Sequence, residues 1–134
     1  MAKLRSADAL MEWIKRCEAA YAEVEKKIFV CMTGCRALGA EDVFDALQNA
    51  LHRRKLLGEV ELIATGCHGL CAGAPVVAVS PGDFSYFGVK PDDADDIIES
   101  ALTGQPVKRL CYKEKGKVYT KRSEIPFYLS LIHI

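Results

Sequence analysis

Val60-Glu61-Leu62-Ile63-Ala64-Thr65-Gly66-Cys67-His68-Gly69-Leu70-Cys71 is the stretch on which the fold turns. Its first five residues form a short apolar run with strand composition, and the run ends directly in a cysteine loop. An earlier stretch repeats the arrangement: Lys27-Ile28-Phe29-Val30 leads straight into Cys31-Met32-Thr33-Gly34-Cys35. Both cysteine pairs enclose three residues. Between the two runs, residues 39–57 read as a helix with Val43, Phe44, Leu47, Ala50 and Leu51 on its buried face and Gly58 as its cap. Strand, helix and strand in this order imply a right-handed crossover and two parallel strands. The C-terminal ends of parallel strands share one sheet edge, so four sulfurs can converge although 31 residues separate Cys35 from Cys67.

Outward from this unit, Val76 to Ser80 predicts a third strand. Pro81-Gly82-Asp83 supplies a turn, and Phe84 to Val89 returns as a fourth strand, antiparallel to the third. A last helix starts near Pro91 and stops at Gly104, with Ile97, Ile98, Ala101 and Leu102 on its apolar side. Asp92, Asp93, Asp95 and Asp96 crowd its positive end as solvated caps. Toward the N-terminus, residues 6–25 predict a helix capped by Ser6. Its stripe of Leu10, Ile14, Cys17, Tyr21 and Val24 makes Cys17 a small core residue. The expected architecture is α/β: a four-stranded mixed sheet with packed helices and an N-terminal helical extension over residues 1–26.

The chain has 134 residues, half of them hydrophobic, enough for one core without disulfide staples. Its 18 basic and 18 acidic residues cancel, which argues against nucleic-acid binding, where a basic excess neutralises phosphates. No apolar stretch reaches the roughly 20 residues of a membrane span, and the N-terminus does not read as an export signal. A cytoplasmic location follows as the default. In a reducing compartment, six cysteines with four in two tight pairs point to metal binding or redox chemistry rather than disulfides.

Cys31, Cys35, Cys67 and Cys71 are the candidate ligands. The glycines inside and around the loops let the backbone bend tightly and aim N–H groups at sulfur, which stabilises thiolate charge and tunes a reduction potential. A structural zinc site also takes four cysteines, though zinc knuckles more often enclose two residues between ligands. Dithiol redox sites also favour two. Spacing favours an iron–sulfur cluster over zinc, and leaves four unrelated thiols as a further alternative. Elsewhere, Cys111 lies alone in a basic segment, and His52 reads as part of a solvated helix end.

The second loop, Thr65-Gly66-Cys67-His68-Gly69-Leu70-Cys71-Ala72-Gly73-Ala74-Pro75-Val76-Val77, closely resembles the thioredoxin-like [2Fe–2S] ferredoxins, and the loop from Val30 to Ala40 and the segment from Tyr86 to Ile97 resemble the same group. The likeness is closest to the N-terminal domain of the NADH-binding, FMN-containing subunit of complex I-like enzymes. That subunit type occurs in electron-bifurcating and NAD(P)-reducing [FeFe]-hydrogenases and in NAD-dependent formate dehydrogenases. The resemblance implies a thioredoxin-like fold over residues 27–104, with Cys31 and Cys35 on one iron and Cys67 and Cys71 on the other. It implies an electron carrier, not catalytic by itself. FMN, NAD(P) and a four-iron cluster would belong to downstream domains, and the partners would be that flavin domain and other iron–sulfur subunits. Close relatives usually enclose four residues in the first pair, and this chain encloses three. His68 reads as a neighbour of the site rather than a ligand.

Residues 105–128 read as either a hairpin, with arms at Arg109–Tyr112 and Val118–Lys121, or a linker toward a missing flavin domain. The last six residues, Leu129-Ser130-Leu131-Ile132-His133-Ile134, equal one reading frame of a transposon adaptor, so 129–134 is expected to be a non-native tail. Two other functions stand beside the electron-transfer reading: a zinc-stabilised assembly module and a free-standing ferredoxin of the same fold.

Overall fold

Parallel pairing of the two strands that carry the cysteines organises the molecule, a computed structural model that describes residues 6–131. β1 (Lys26–Cys31) and β2 (Val60–Thr65) run side by side, with Lys26 opposite Val60 and Cys31 opposite Thr65. The crossover helix α2 (Ala40–Arg53) turns Ala40, Val43, Leu47, Ala50 and Leu51 inward. β3 (Val76–Ser80) lies antiparallel on the other side of β1, and β4 (Phe84–Phe87) lies antiparallel beside β3. The strand order is β2-β1-β3-β4. The expected mixed four-stranded sheet is therefore present, with its helices packed on it.

Alternation along the strands selects the core. Ile28, Val30, Val77 and Tyr86 are fully buried. They meet α2 and α3 (Ala94–Thr103), which also pack against each other. Ile97 and Ile98 of α3 are completely covered. Gly104 ends α3 in the left-handed conformation at φ 70°, where its N–H reaches the carbonyl of Ser100 at 2.9 Å. α2 stops earlier than the spacing predicts. Lys55, not Gly58, takes the left-handed turn, at φ 57°, and Leu56 N–H closes back on the carbonyl of Leu51 at 2.9 Å.

Two further expectations are corrected. α1 (Ala7–Ala22) forms where expected, and Ser6 Oγ accepts from the N–H of Ala9 at 3.1 Å. It buries no residue, however, and Cys17 is exposed rather than a core residue. The 3–4 spacing marks one side of a helix as apolar, but Leu10, Ile14 and Tyr21 on that side stay exposed. What ties α1 to the sheet is Lys27, only 2% exposed, which pairs with Glu61 at 3.3 Å and lies 4.4 Å under the Tyr21 ring. The acidic cluster is not simply solvated. Asp93 is buried, accepts from Lys90 N–H at 2.8 Å and pairs with Arg109, which also holds Asp96, while Asp95 pairs with Arg53 at 2.9 Å.

The segment after Gly104 folds back on the domain. β5 (Tyr112–Glu114) and β6 (Lys117–Tyr119) form a hairpin shifted toward the turn from the expected arms, overlapping them only at Tyr112 and at Val118 and Tyr119. Its flanks dock along β4: Phe87 N–H reaches the carbonyl of Leu110 at 2.8 Å, and Arg122 N–H reaches that of Asp83 at 2.7 Å. Ile125 is fully buried, and α4 (Pro126–Leu131) follows. Of the six residues expected to be a foreign tail, Leu129 to Leu131 end α4, while 132–134 lie outside the described residues.

Candidate metal centre

The β1–β2 register brings both cysteine loops to one edge. Cys31 is the last residue of β1, and Met32 N–H donates to the carbonyl of Thr65 at 3.0 Å, so the loops leave the sheet together. A 3₁₀ turn over Gly34–Leu38 carries Cys35 back beneath the surface. Cys31 and Cys35 are each 1% exposed, whereas Cys67 and Cys71 are exposed. Cys67 Sγ and Cys71 Sγ stand 3.6 Å apart. Two sulfurs bound at about 2.3 Å to one tetrahedral ion stand roughly 3.8 Å apart, so this pair has the bite of a single metal.

Cys31 and Cys35 are neighbours as well: each perturbs the ionisation of the other, Cys35 also feels the charge of Cys71, and Cys71 feels that of Cys31. The four thiols thus form two adjacent pairs. Two thiolates for each of two irons fit that donor set. Among the described residues, no three His, Cys, Asp or Glu side chains gather about one point.

Electrostatics differentiate the first pair. Burial pushes the Cys31 thiol up, but hydrogen bonds from Thr33, Cys35 and the His68 backbone outweigh it, lowering it to about 7. Cys31 Sγ lies 3.4 Å from Thr33 Oγ1. Burial and the neighbouring Cys31 push Cys35 up to about 11. In the second loop, hydrogen bonding and charge from Cys67 raise Cys71. Gly69 N–H donates to Cys67 Sγ at 3.3 Å, the contact the glycine-rich loop was expected to make. Gly69 holds φ 102°, a conformation open to glycine and strained for other residues.

The His68 ring is engaged through Nε2 with Thr65. Thr65 Oγ1 donates to the carbonyl of Val30 at 3.3 Å and lies 2.7 Å from His68 Nε2. Among the described residues, the other ring nitrogen, Nδ1, is buried without a hydrogen-bond partner. Burial, then the charge of Arg122, depress its pKa and keep the ring neutral. The ring lines an open cleft of about 610 Å³ beside Phe29, Ala78, Asp83 and Arg122.

Contacts absent from the sequence reading hold the second loop at both ends. Gly73 lies so close to Phe87 that a Cβ would come within 2.8 Å of that ring, and Gly88 N–H donates to the carbonyl of Gly73 at 2.7 Å. At the other end, Tyr128 Oη donates to the carbonyl of His68 at 2.7 Å, and the Phe127 ring edge occupies the space where a Gly69 Cβ would point. The Arg122 guanidinium lies 4.6 Å over the Tyr128 ring. Burial raises the Tyr128 pKa above its ordinary value, so the hydroxyl keeps its proton. Nothing in the sequence marks these aromatics beyond their place at the end of a basic segment. Cys17 and Cys111 stand apart from the centre; Cys111 is buried and donates to the carbonyl of Val107 at 3.4 Å.

The profile of the family described as thioredoxin-like [2Fe-2S] ferredoxin matches residues 20–102, from the end of α1 through α3. The chain belongs to that family. A 2Fe-2S ferredoxin of Clostridium pasteurianum is 36% identical over 94 residues, covering 62% of this chain and 91% of the relative. One from Aquifex aeolicus is 36% identical over 103 residues, covering 69% and 92%. The crystal structure of the wild-type thioredoxin-like [2Fe-2S] ferredoxin from Aquifex aeolicus superposes with a TM-score of 0.61 at 32% identity, covering 68% of this chain and 99% of that one. The fold is therefore thioredoxin-like, the cofactor is a [2Fe–2S] cluster, and the function is that of an electron-transfer ferredoxin domain. Among the described residues no helix is long and apolar enough to cross a membrane.

Proposed function

We propose that this ferredoxin domain holds its cluster on Cys31 and Cys35 for one iron and on Cys67 and Cys71 for the other. We propose further that it serves as a module of a cytoplasmic, NAD(P)H-linked flavoprotein oxidoreductase of the complex I, hydrogenase or formate dehydrogenase type. The observation that carries the site is the pair of adjacent dithiols at the ends of parallel β1 and β2. When bound, the cluster takes up and passes on one electron at a time. The chain's own residues supply the rest. Cys31 is held near its thiolate form, Gly69 N–H supports the sulfur of Cys67, and the buried first pair keeps water from one side. The exposed second pair is the face at which an electron partner would approach.

FMN and NAD(P) would bind downstream domains, and the partners would be the flavin domain of the same subunit and other iron–sulfur subunits. The resemblance of both cysteine loops to that subunit type supports this context. A free-standing ferredoxin is the second reading, favoured by relatives that are ferredoxins matched over 91% and 92% of their length. An intact gene from the same source separates the two: continuation past Tyr128 into nucleotide-binding sequence supports the module, and a natural stop after Ile134 the free carrier. For the site, anaerobically purified protein is read by absorption and EPR before and after dithionite, with iron, sulfide and zinc assays. About two irons and two sulfides with a spin-half signal on reduction are expected. A colourless protein holding one zinc would overturn the assignment in favour of an assembly module.

A further inference from the structure

The carbonyl of His68 and the N–H of Gly69 belong to one peptide group. A peptide group is planar and trans, so its oxygen and its N–H point in opposite directions. On one side Tyr128 Oη donates to the oxygen at 2.7 Å, and on the other the N–H donates to Cys67 Sγ at 3.3 Å. Hydrogen bonds in series polarise one another, so the phenol strengthens the N–H donor as well as fixing its direction. The plane needs such a fastener. Gly69 sits at φ 102°, and a glycine there turns with little resistance, so the N–H to sulfur contact depends on what holds the oxygen.

The fastener is itself well seated. Ile125, three residues before Tyr128, is fully buried. Arg122 and Ser123 are pinned to Asp83 through their backbone N–H groups at 2.7 and 2.9 Å. The Arg122 guanidinium covers the outer face of the Tyr128 ring, and Phe127 closes over Gly69. Arg122, Ser123, Ile125, Phe127 and Tyr128 all lie beyond residue 102, outside the region that matches the family.

We propose that Tyr128 is a positioning residue that sets the electron affinity of the centre by aiming the His68–Gly69 peptide at Cys67. The proposal rests on Cys67 being a cluster ligand. A donor to a ligand sulfur favours the reduced, more negative state, so loss of the phenol hydroxyl lowers the potential.

The test is Tyr128→Phe in the full chain, with Phe127→Leu as the variant that keeps the hydroxyl. In metal-free protein, solvent exchange of the Gly69 amide, followed by NMR, is expected to rise roughly fivefold in Tyr128→Phe, the loss of one hydrogen bond. Amides of β1 and β3 should keep their wild-type rates, and Phe127→Leu should leave Gly69 protected. In iron-loaded protein, the midpoint potential of Tyr128→Phe should be more negative than wild type at equal iron content. Unchanged Gly69 exchange, an equal rise at every amide, or an unmoved potential in the loaded variant would overturn the proposal. Absence of iron from wild type and variant alike would instead remove the cluster assignment, with Gly69 exchange in the metal-free chain still deciding what Tyr128 does.

Discussion

Cys31 and Cys35 lie under the surface, joined to the end of β1 and a 3₁₀ turn, while Cys67 and Cys71 stand in solvent on a loop fastened from outside. The same three-residue spacing has been built in two ways. The first loop is held by burial: Cys31 and Cys35 are members of the hydrophobic core, and the glycine between them meets nothing. The second is held by contacts at its glycines, with Phe87 against Gly73 and Phe127 and Tyr128 against His68 and Gly69. Equal spacing in sequence therefore does not mean equal mechanics. One pair is a rigid part of the core, and the other is a surface element whose geometry is imposed by residues far along the chain.

The sharpest way to break this comparison is to remove one ligand from each pair. Cys35→Ala and Cys71→Ala are both expected to abolish or strongly weaken cluster assembly, read as iron and sulfide per chain. Only Cys35→Ala should also weaken the metal-free protein, by about 1–2 kcal/mol in urea unfolding, because it empties core volume; Cys71→Ala should stay within about 0.5 kcal/mol. Equal stability loss would mean that the burial difference has no mechanical meaning. The glycines come next. Gly69→Ala should cost about 1–3 kcal/mol through its positive φ and the Phe127 ring, while Gly34→Ala, facing open space, should cost under about 0.5 kcal/mol.

A smaller effect tests the joint between the loops. Thr65→Val removes the hydroxyl that links Val30 to His68, and about 1–2 kcal/mol of stability should go with it. The smallest expected change is in cluster content on substituting the outlying cysteines. Cys17→Ser and Cys111→Ser should leave iron and sulfide at wild-type levels. Loss of iron in Cys111→Ser would show that the ligand set is wrongly assigned.

The four strands and the meeting of the cysteine loops were legible because they depend on local composition and on the parallel direction of two strands joined by a helix. Lys27 to Val30 and Val60 to Ala64 are apolar runs flanking a helical period, and the parallel pairing this implies puts both loops at the same edge. The fate of α1 was not legible. A stripe such as Leu10, Ile14 and Tyr21 records that a helix has an apolar side, not whether the same chain supplies something to cover it. Residues 105–128 were half legible: a hairpin and a linker fitted the sequence equally, and the hairpin forms a little nearer its turn than the expected arms. Its docking on β4 depends on backbone bonds from Leu110 and Arg122 that leave no compositional trace. The Tyr128–His68 contact spans 60 positions, and no local pattern reports it.

That span also has a meaning in time. A ribosome adding about 5–20 residues per second needs roughly 3–12 s to go from His68 to Tyr128. The second cysteine loop of every newly made chain therefore spends some seconds complete in sequence but unfastened, its thiols reachable by whatever delivers iron and sulfide, before the last part of the domain arrives to hold it.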